Sequence, residues 1–229
     1  FPYTTLFRSL PVFLFFLNFA ILTYFPALGF PLTEPRNYFF ANLLYMTVNF
    51  AVMLLIFRRT LWQSLREFEG KMLLSVLIGF GMCYGANLVL TTAYTVLDIM
   101  PENYNQEAVN SLLGGYPLAM TLCTVVLAPL AEECLFRGVL FAPLARRCLP
   151  AAYALSMFLF AGMHVFQFLG SMTAANTILC LSLYLPASFS LCWVYQKTGN
   201  IWAGIFLHMF INFQSVLASL LRSLMQAFL

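Results

Sequence analysis

Charge is what this chain lacks most. Only 8% of its 229 residues are Asp, Glu, Lys or Arg, where a soluble domain carries about 25%. A water-facing surface cannot be built from so few charges. With 62% hydrophobic residues and a mean hydropathy of +0.87, most of the exterior must face lipid. The chain also has too few cations for a nucleic-acid-binding patch: its net charge is only +3. It has no CxxC pair, and its six cysteines fall in or beside apolar runs, which reads as small buried hydrophobes rather than a disulfide framework or zinc site. There is no HExxH, GxGxxG or phosphate-binding loop, no internal repeat and no low-complexity tract.

What is present is a series of long apolar runs. A span needs about 20 mostly apolar residues. Seven segments qualify, roughly 10–29, 38–57, 72–97, 112–142, 151–169, 172–195 and 201–228. The expected fold is all-α: a polytopic integral membrane helix bundle of about seven transmembrane helices. The fourth segment holds Gly114, Gly115, Pro117 and Pro129, so a break is expected near its start, and Pro186 predicts a kink in the sixth. Arg58, Arg59, Arg66, Lys71, Arg146, Arg147 and Lys197 fall on one side. The other receives Arg36 and Arg222, with Asp98, Glu102 and Glu107 in its 98–111 loop. The first side is expected to be cytoplasmic. The Arg58–Lys71 connection is read either as an interfacial amphipathic helix or as a solvated loop.

Residues 1–9, FPYTTLFRS, contain no Met and match one reading frame of a common sequencing-adapter oligonucleotide. They are read as a translated artefact on a truncated frame, the alternative being a natural amphipathic N-terminus. The expected division is then 10–111 for the N-terminal transmembrane helices and 112–229 for a catalytic core.

Ionisable groups within membrane spans are expensive and are functional candidates by default. Glu132, Glu133 and Arg137 lie in LAPLAEECLFRGVLF, and the two histidines, His164 and His208, lie in separate apolar spans. At about 1.5 Å rise per residue, Glu133 stands roughly 20 Å from Arg146, His164 roughly 20 Å from Ala151 and His208 roughly 13 Å from Gly199. All three reach the middle of the bilayer. Glu133 and Arg137 are i,i+4 and can pair, whereas Glu132, about 100° around the helix, lacks that partner. Asn212 is i+4 from His208, Gly204 is i−4, and Phe160 is i−4 from His164 and can pack beneath its ring. A free carboxylate near a neutral imidazole can activate water, and a His with an Asn can donate to a developing oxyanion. Against this, buried His and Asn also serve to join helices, and Glu–Arg pairs can be purely structural.

Glu132-Glu133-x-x-x-Arg137, Phe160-x-x-x-His164 and His208-x-x-x-Asn212 together resemble, in order and spacing, the motifs of the CAAX-protease and bacteriocin-processing family. These are intramembrane endopeptidases related to the type II CAAX prenyl proteases. The resemblance covers about residues 112–229. It implies that Glu132 and His164 activate water, that His208 and Asn212 stabilise the oxyanion, and that Glu133, Arg137 and Phe160 support them. It further implies hydrolysis of a hydrophobic or lipidated peptide substrate in a prokaryotic cell membrane, without a cofactor. Members often carry an additional N-terminal span, which fits a truncated start. Two alternatives remain at this stage. One is a zinc protease ligated by Glu132, His164 and His208. The other is a non-enzymatic bacteriocin-immunity, scaffold or transport protein.

Overall fold

A computed structural model of the chain describes residues 17, 20, 21 and 23–228. Residues 1–9 and half of the first expected span, 10–29, lie outside the described residues. Among the described residues six helices are long and apolar enough to cross a membrane, and no strand occurs. The protein is an all-α integral membrane bundle.

The six are α1 (Pro35–Arg66), α2 (Met72–Val96), α4 (Pro117–Ala145), α5 (Leu149–Val165, extended by a 3₁₀ turn to Ser171), α6 (Ala174–Thr198) and α7 (Ile201–Ala227). A short helix, α3 (Tyr104–Gly115), precedes α4. Local chemistry sets several boundaries. Asn103, Thr173 and Asn200 cap α3, α6 and α7 by accepting from the N–H of Gln106, Asn176 and Trp202. Gly199, at φ 64°, ends α6 in the left-handed conformation that glycine tolerates best. The expected break before the fourth crossing falls at Tyr116 (φ −138°, ψ 60°), so the span starts at Pro117 rather than 112. The ring of Tyr116 stacks on Phe39 at 3.8 Å.

The Arg58–Lys71 stretch is helical as far as Arg66, as a continuation of α1 rather than a separate helix, and non-helical from Glu67 to Lys71. Tertiary bonds hold its last turns to the α6–α7 connection: Trp202 Nε1 donates to Leu61 O at 2.8 Å and Asn200 Nδ2 to Ser64 O at 2.6 Å. At the opposite end of the bundle, Glu102 N donates to Asn176 Oδ1 and Asn176 Nδ2 to Glu102 O. α6 continues through Pro186 without a break.

α7 is the central element and touches α1, α2, α3, α4 and α6. It packs Ile201 and Ile205 with Met53, Phe57, Leu130 and Cys134, and Ala203 and Leu207 with Val76, Phe136, Phe160 and Leu191. Close approach depends on small residues. A Cβ at Gly79 would stand 2.5 Å from Val194 and 2.9 Å from Leu207. Leu74, Val89, Leu118 and Ile178, each more than 60% exposed, form part of the lipid-facing surface.

Candidate active site

The site begins with two distortions of α4. Ala128 N–H bonds Cys123 O and Ala142 N–H bonds Arg137 O, both five residues back, so Cys123–Leu127 and Cys134–Phe141 are widened π turns. A proline follows each, Pro129 and Pro143. Its ring would press on the carbonyl four residues back in an ordinary helical turn, and the wider turn relieves that clash. Such π turns are frequent at functional sites. Between the two lies the ordinary turn Ala128–Glu133 that presents both glutamates.

The first distortion explains Asn212. With Ala128 bonded to Cys123 O, the next donor in the widened ladder would be residue 129, and proline has no N–H. The Thr124 carbonyl loses that partner, and Asn212 Nδ2 donates to it at 2.8 Å. The other N–H of the carboxamide is left for other use.

Glu133 and Arg137 are both fully buried and pair at 3.1 Å. The same carboxylate oxygen, Oε1, accepts from His208 Nδ1 at 2.9 Å. A carboxylate can only accept here, so Nδ1 carries the proton, and the ring is held with Nε2 toward Glu132 Oε2, 3.8 Å away. That gap is too long for a hydrogen bond. Arg137 also donates to Ser188 O at 3.2 Å and lies over the Phe160 ring at 5.0 Å. Gly204 makes this cluster possible, since a Cβ there would meet Glu133 Oε2 at 3.0 Å. Glu132 is organised differently: like Glu133 it has a buried Oε2 without a hydrogen-bond partner, but its carboxylate makes no hydrogen bond at all and the side chain keeps 18% exposure, where Glu133 has none.

His164 is oriented from both sides. Its Nδ1 bonds Phe160 O at 2.8 Å, and a carbonyl only accepts, so Nδ1 is again protonated and Nε2 is left as the acceptor. Tyr184 stacks on the imidazole at 4.6 Å and 25°. The phenol is itself pinned from α3 and its cap: it donates to Asn103 Oδ1 at 3.0 Å and accepts from Asn105 Nδ2 at 3.2 Å. Phe160 lies between the histidines, 4.8 Å from His164 and 5.6 Å from His208.

A cavity of about 230 Å³ is bordered by Glu132, His164, Tyr184 and Asn212, and α1 forms its far wall. His208 borders a second cavity, of about 450 Å³, which shares His164, Tyr184 and Asn212 with the first. All seven residues singled out from the sequence therefore fall in one neighbourhood, but the pairing within it differs from simple expectation. His208, not His164, approaches both glutamates, and no ion pair joins His164 to Glu132. Among the described residues no three His, Cys, Asp or Glu side chains are grouped so as to hold a metal ion. Sequence reasoning missed Tyr184, Thr124 and the polar face of α1. Pro129, one turn after a threonine in an apolar helix, is the signal that could have pointed to Thr124.

Comparison with known proteins places these features in context. Residues 114–214 match the family described as Rce1-like, type II CAAX prenyl endopeptidase. A Bacillus subtilis protein titled "Putative membrane peptidase YdiL" is 28% identical over 166 residues, which are 70% of this chain and 64% of that protein. The chain thus spans less than two thirds of that relative's length. No solved structure matches. The match agrees with the resemblance read from the three motifs, and its stretch takes in all seven motif residues. The bacterial relative agrees with a prokaryotic membrane.

Proposed function

We propose that this protein is an intramembrane endopeptidase in which Glu132 and His164 activate a water molecule and His208 and Asn212 stabilise the tetrahedral oxyanion. The observation that carries the reading is the unequal treatment of two adjacent glutamates. Each has a buried Oε2 without a hydrogen-bond partner, but Glu133 is tied through Oε1 to Arg137 and His208, while the Glu132 carboxylate makes no hydrogen bond and borders the cavity. A buried acceptor without a partner costs stability; a general base needs that free lone pair.

In this mechanism Glu132 takes a proton from water as its oxygen attacks the scissile carbonyl carbon. The Nε2 lone pair of His164 supports the same transfer and relays a proton to the amine nitrogen as the C–N bond breaks. The free N–H of Asn212 donates to the oxyanion. His208 Nε2 joins it when the ring is doubly protonated, because Nδ1 is already committed to Glu133. The reading needs no metal. The substrate enters from lipid or the cavity as a hydrophobic, membrane-associated or lipidated peptide. Glu133, Arg137 and Phe160 hold the machinery in place.

A second reading is favoured by the 3.8 Å approach of His208 Nε2 to Glu132: His208, oriented by Glu133, shares the base role, and His164, when doubly protonated, donates from Nε2 to the oxyanion. Both readings are tested in proteoliposomes with a library of membrane-tethered peptides, the products being mapped by mass spectrometry. Glu132→Gln should abolish cleavage while the protein stays folded. Undiminished cleavage by that variant sinks both. Uptake by the same vesicles in place of cleavage would support a transport role.

A further inference from the structure

The face of α1 that borders the cavity carries neutral polar groups at helical spacing: Tyr38, Asn42, Tyr45 and Asn49. Polar side chains inside a membrane bundle commonly serve as glue between helices. These asparagines do not. Asn42 Nδ2 bonds its own helix at Tyr38 O, 2.9 Å away. Asn49 is only 7% exposed, and its Oδ1 has no hydrogen-bond partner. A carboxamide held at membrane depth with a free acceptor is unfavourable unless something outside the chain uses it.

We propose that Asn42, Tyr45 and Asn49 bind the main chain of the substrate, and that the site takes an extended, uncharged, internal peptide segment rather than one ending in a carboxylate beside the cleaved bond. This rests on the endopeptidase reading above and specifies its substrate. Carboxamides offer both donors and acceptors, which is what a peptide main chain presents alternately. Asn42 and Asn49 are separated along the helix by about 10 Å, the length of about three extended residues. The charge of the cavity sets the rest. Among the described residues no Lys or Arg borders it, and Glu132 does, so a terminal carboxylate would meet repulsion and find no Lys or Arg there to pair with. Arg222 borders the second cavity. Binding of a substrate carboxylate there is the competing outcome. The stripe lies outside residues 114–214, which carry the family similarity.

The test uses two peptide probes in proteoliposomes of the full chain. One carries an uncharged apolar segment flanked on both sides by further residues. The other has the same segment and ends in a free carboxylate three residues after the bond cleaved in the first. Asn49→Leu and Asn42→Leu should each raise KM for the first probe about tenfold, the scale of one lost hydrogen bond, with kcat nearly unchanged. Asn42 is only half-buried, so its variant serves if Asn49→Leu does not fold. The second probe should be cleaved at least tenfold less efficiently than the first, and amidation of its terminus should restore cleavage. Unchanged KM in a folded variant, or preference for the free carboxylate, overturns the proposal. If the parent protein cleaves neither probe, the endopeptidase reading fails separately. Photo-cross-linking from position 42 then decides this one: capture of the first probe in preference to the second supports it, and equal capture or none overturns it.

Discussion

Replacing Glu133 by Gln isolates the charge at the centre of the buried network. One oxygen of Glu133 accepts from Arg137 at 3.1 Å and from His208 at 2.9 Å, and neither Glu133 nor Arg137 has any exposed surface. The amide keeps the shape and one acceptor but removes the counter-charge. Arg137 is then left with the Ser188 carbonyl and the Phe160 ring face. Removing one partner of a buried ion pair costs about 3–5 kcal/mol, because the other charge stays desolvated. The amide nitrogen would also have to settle opposite Gly204, where space is already tight. Unfolding of the parent, Glu133→Gln, Arg137→Met and the double variant, followed in detergent by near-ultraviolet circular dichroism, gives a double-mutant cycle. Glu133→Gln is expected to be the least stable, and the double variant should recover a large part of the loss, since replacing both charges leaves nothing unpaired. Glu132→Gln, whose Oε2 loses no hydrogen bond, should stay close to the parent. A Glu133→Gln protein as stable as the parent, or a double variant no better than the single, would refute the reasoning.

Asn212→Ala should lower kcat by about 10²-fold or more, as expected when one oxyanion donor is lost. It should also cost about 1–3 kcal/mol of stability, because the Thr124 carbonyl loses its donor; a loss confined to KM would recast Asn212 as a substrate-positioning residue. Peptide cleavage should survive exhaustive chelation, with no stoichiometric metal in the purified protein by elemental analysis. Activity removed by chelator and restored by zinc would contradict the metal-free mechanism. For topology, a cysteine at position 104 should react with an impermeant reagent only from the outer face of cells, and labelling only from the cytoplasmic face would reverse the orientation.

Much of this protein is legible in one dimension because lipid imposes a simple rule: a crossing helix must be long, apolar and internally hydrogen-bonded. The helical spans follow from that rule, and the break before Pro117 follows from the local Gly114, Gly115 and Pro117 cluster. The i,i+4 spacing of Glu133 and Arg137 likewise predicts a contact within a single helix, and the two side chains do meet. The extent of α1 was not legible, since Arg58, Arg59 and Arg66 read locally as the end of a span; bonds from Asn200 and Trp202, more than 130 positions away, accompany its continuation to Arg66. The partners inside the site were equally hidden. Periodicity states which residues share a helix face, but not how adjacent helices rotate or how deeply they interlock. Only the packed bundle decided that His208 bonds Glu133, that Tyr184 lies on His164, that Asn212 caps the Thr124 carbonyl, and that Asn49 borders the cavity with its Oδ1 unpartnered. Each of these depends on the angular setting of one helix against another, which is set by side-chain packing at contacts such as Gly204 and Gly79 and has no period in the sequence.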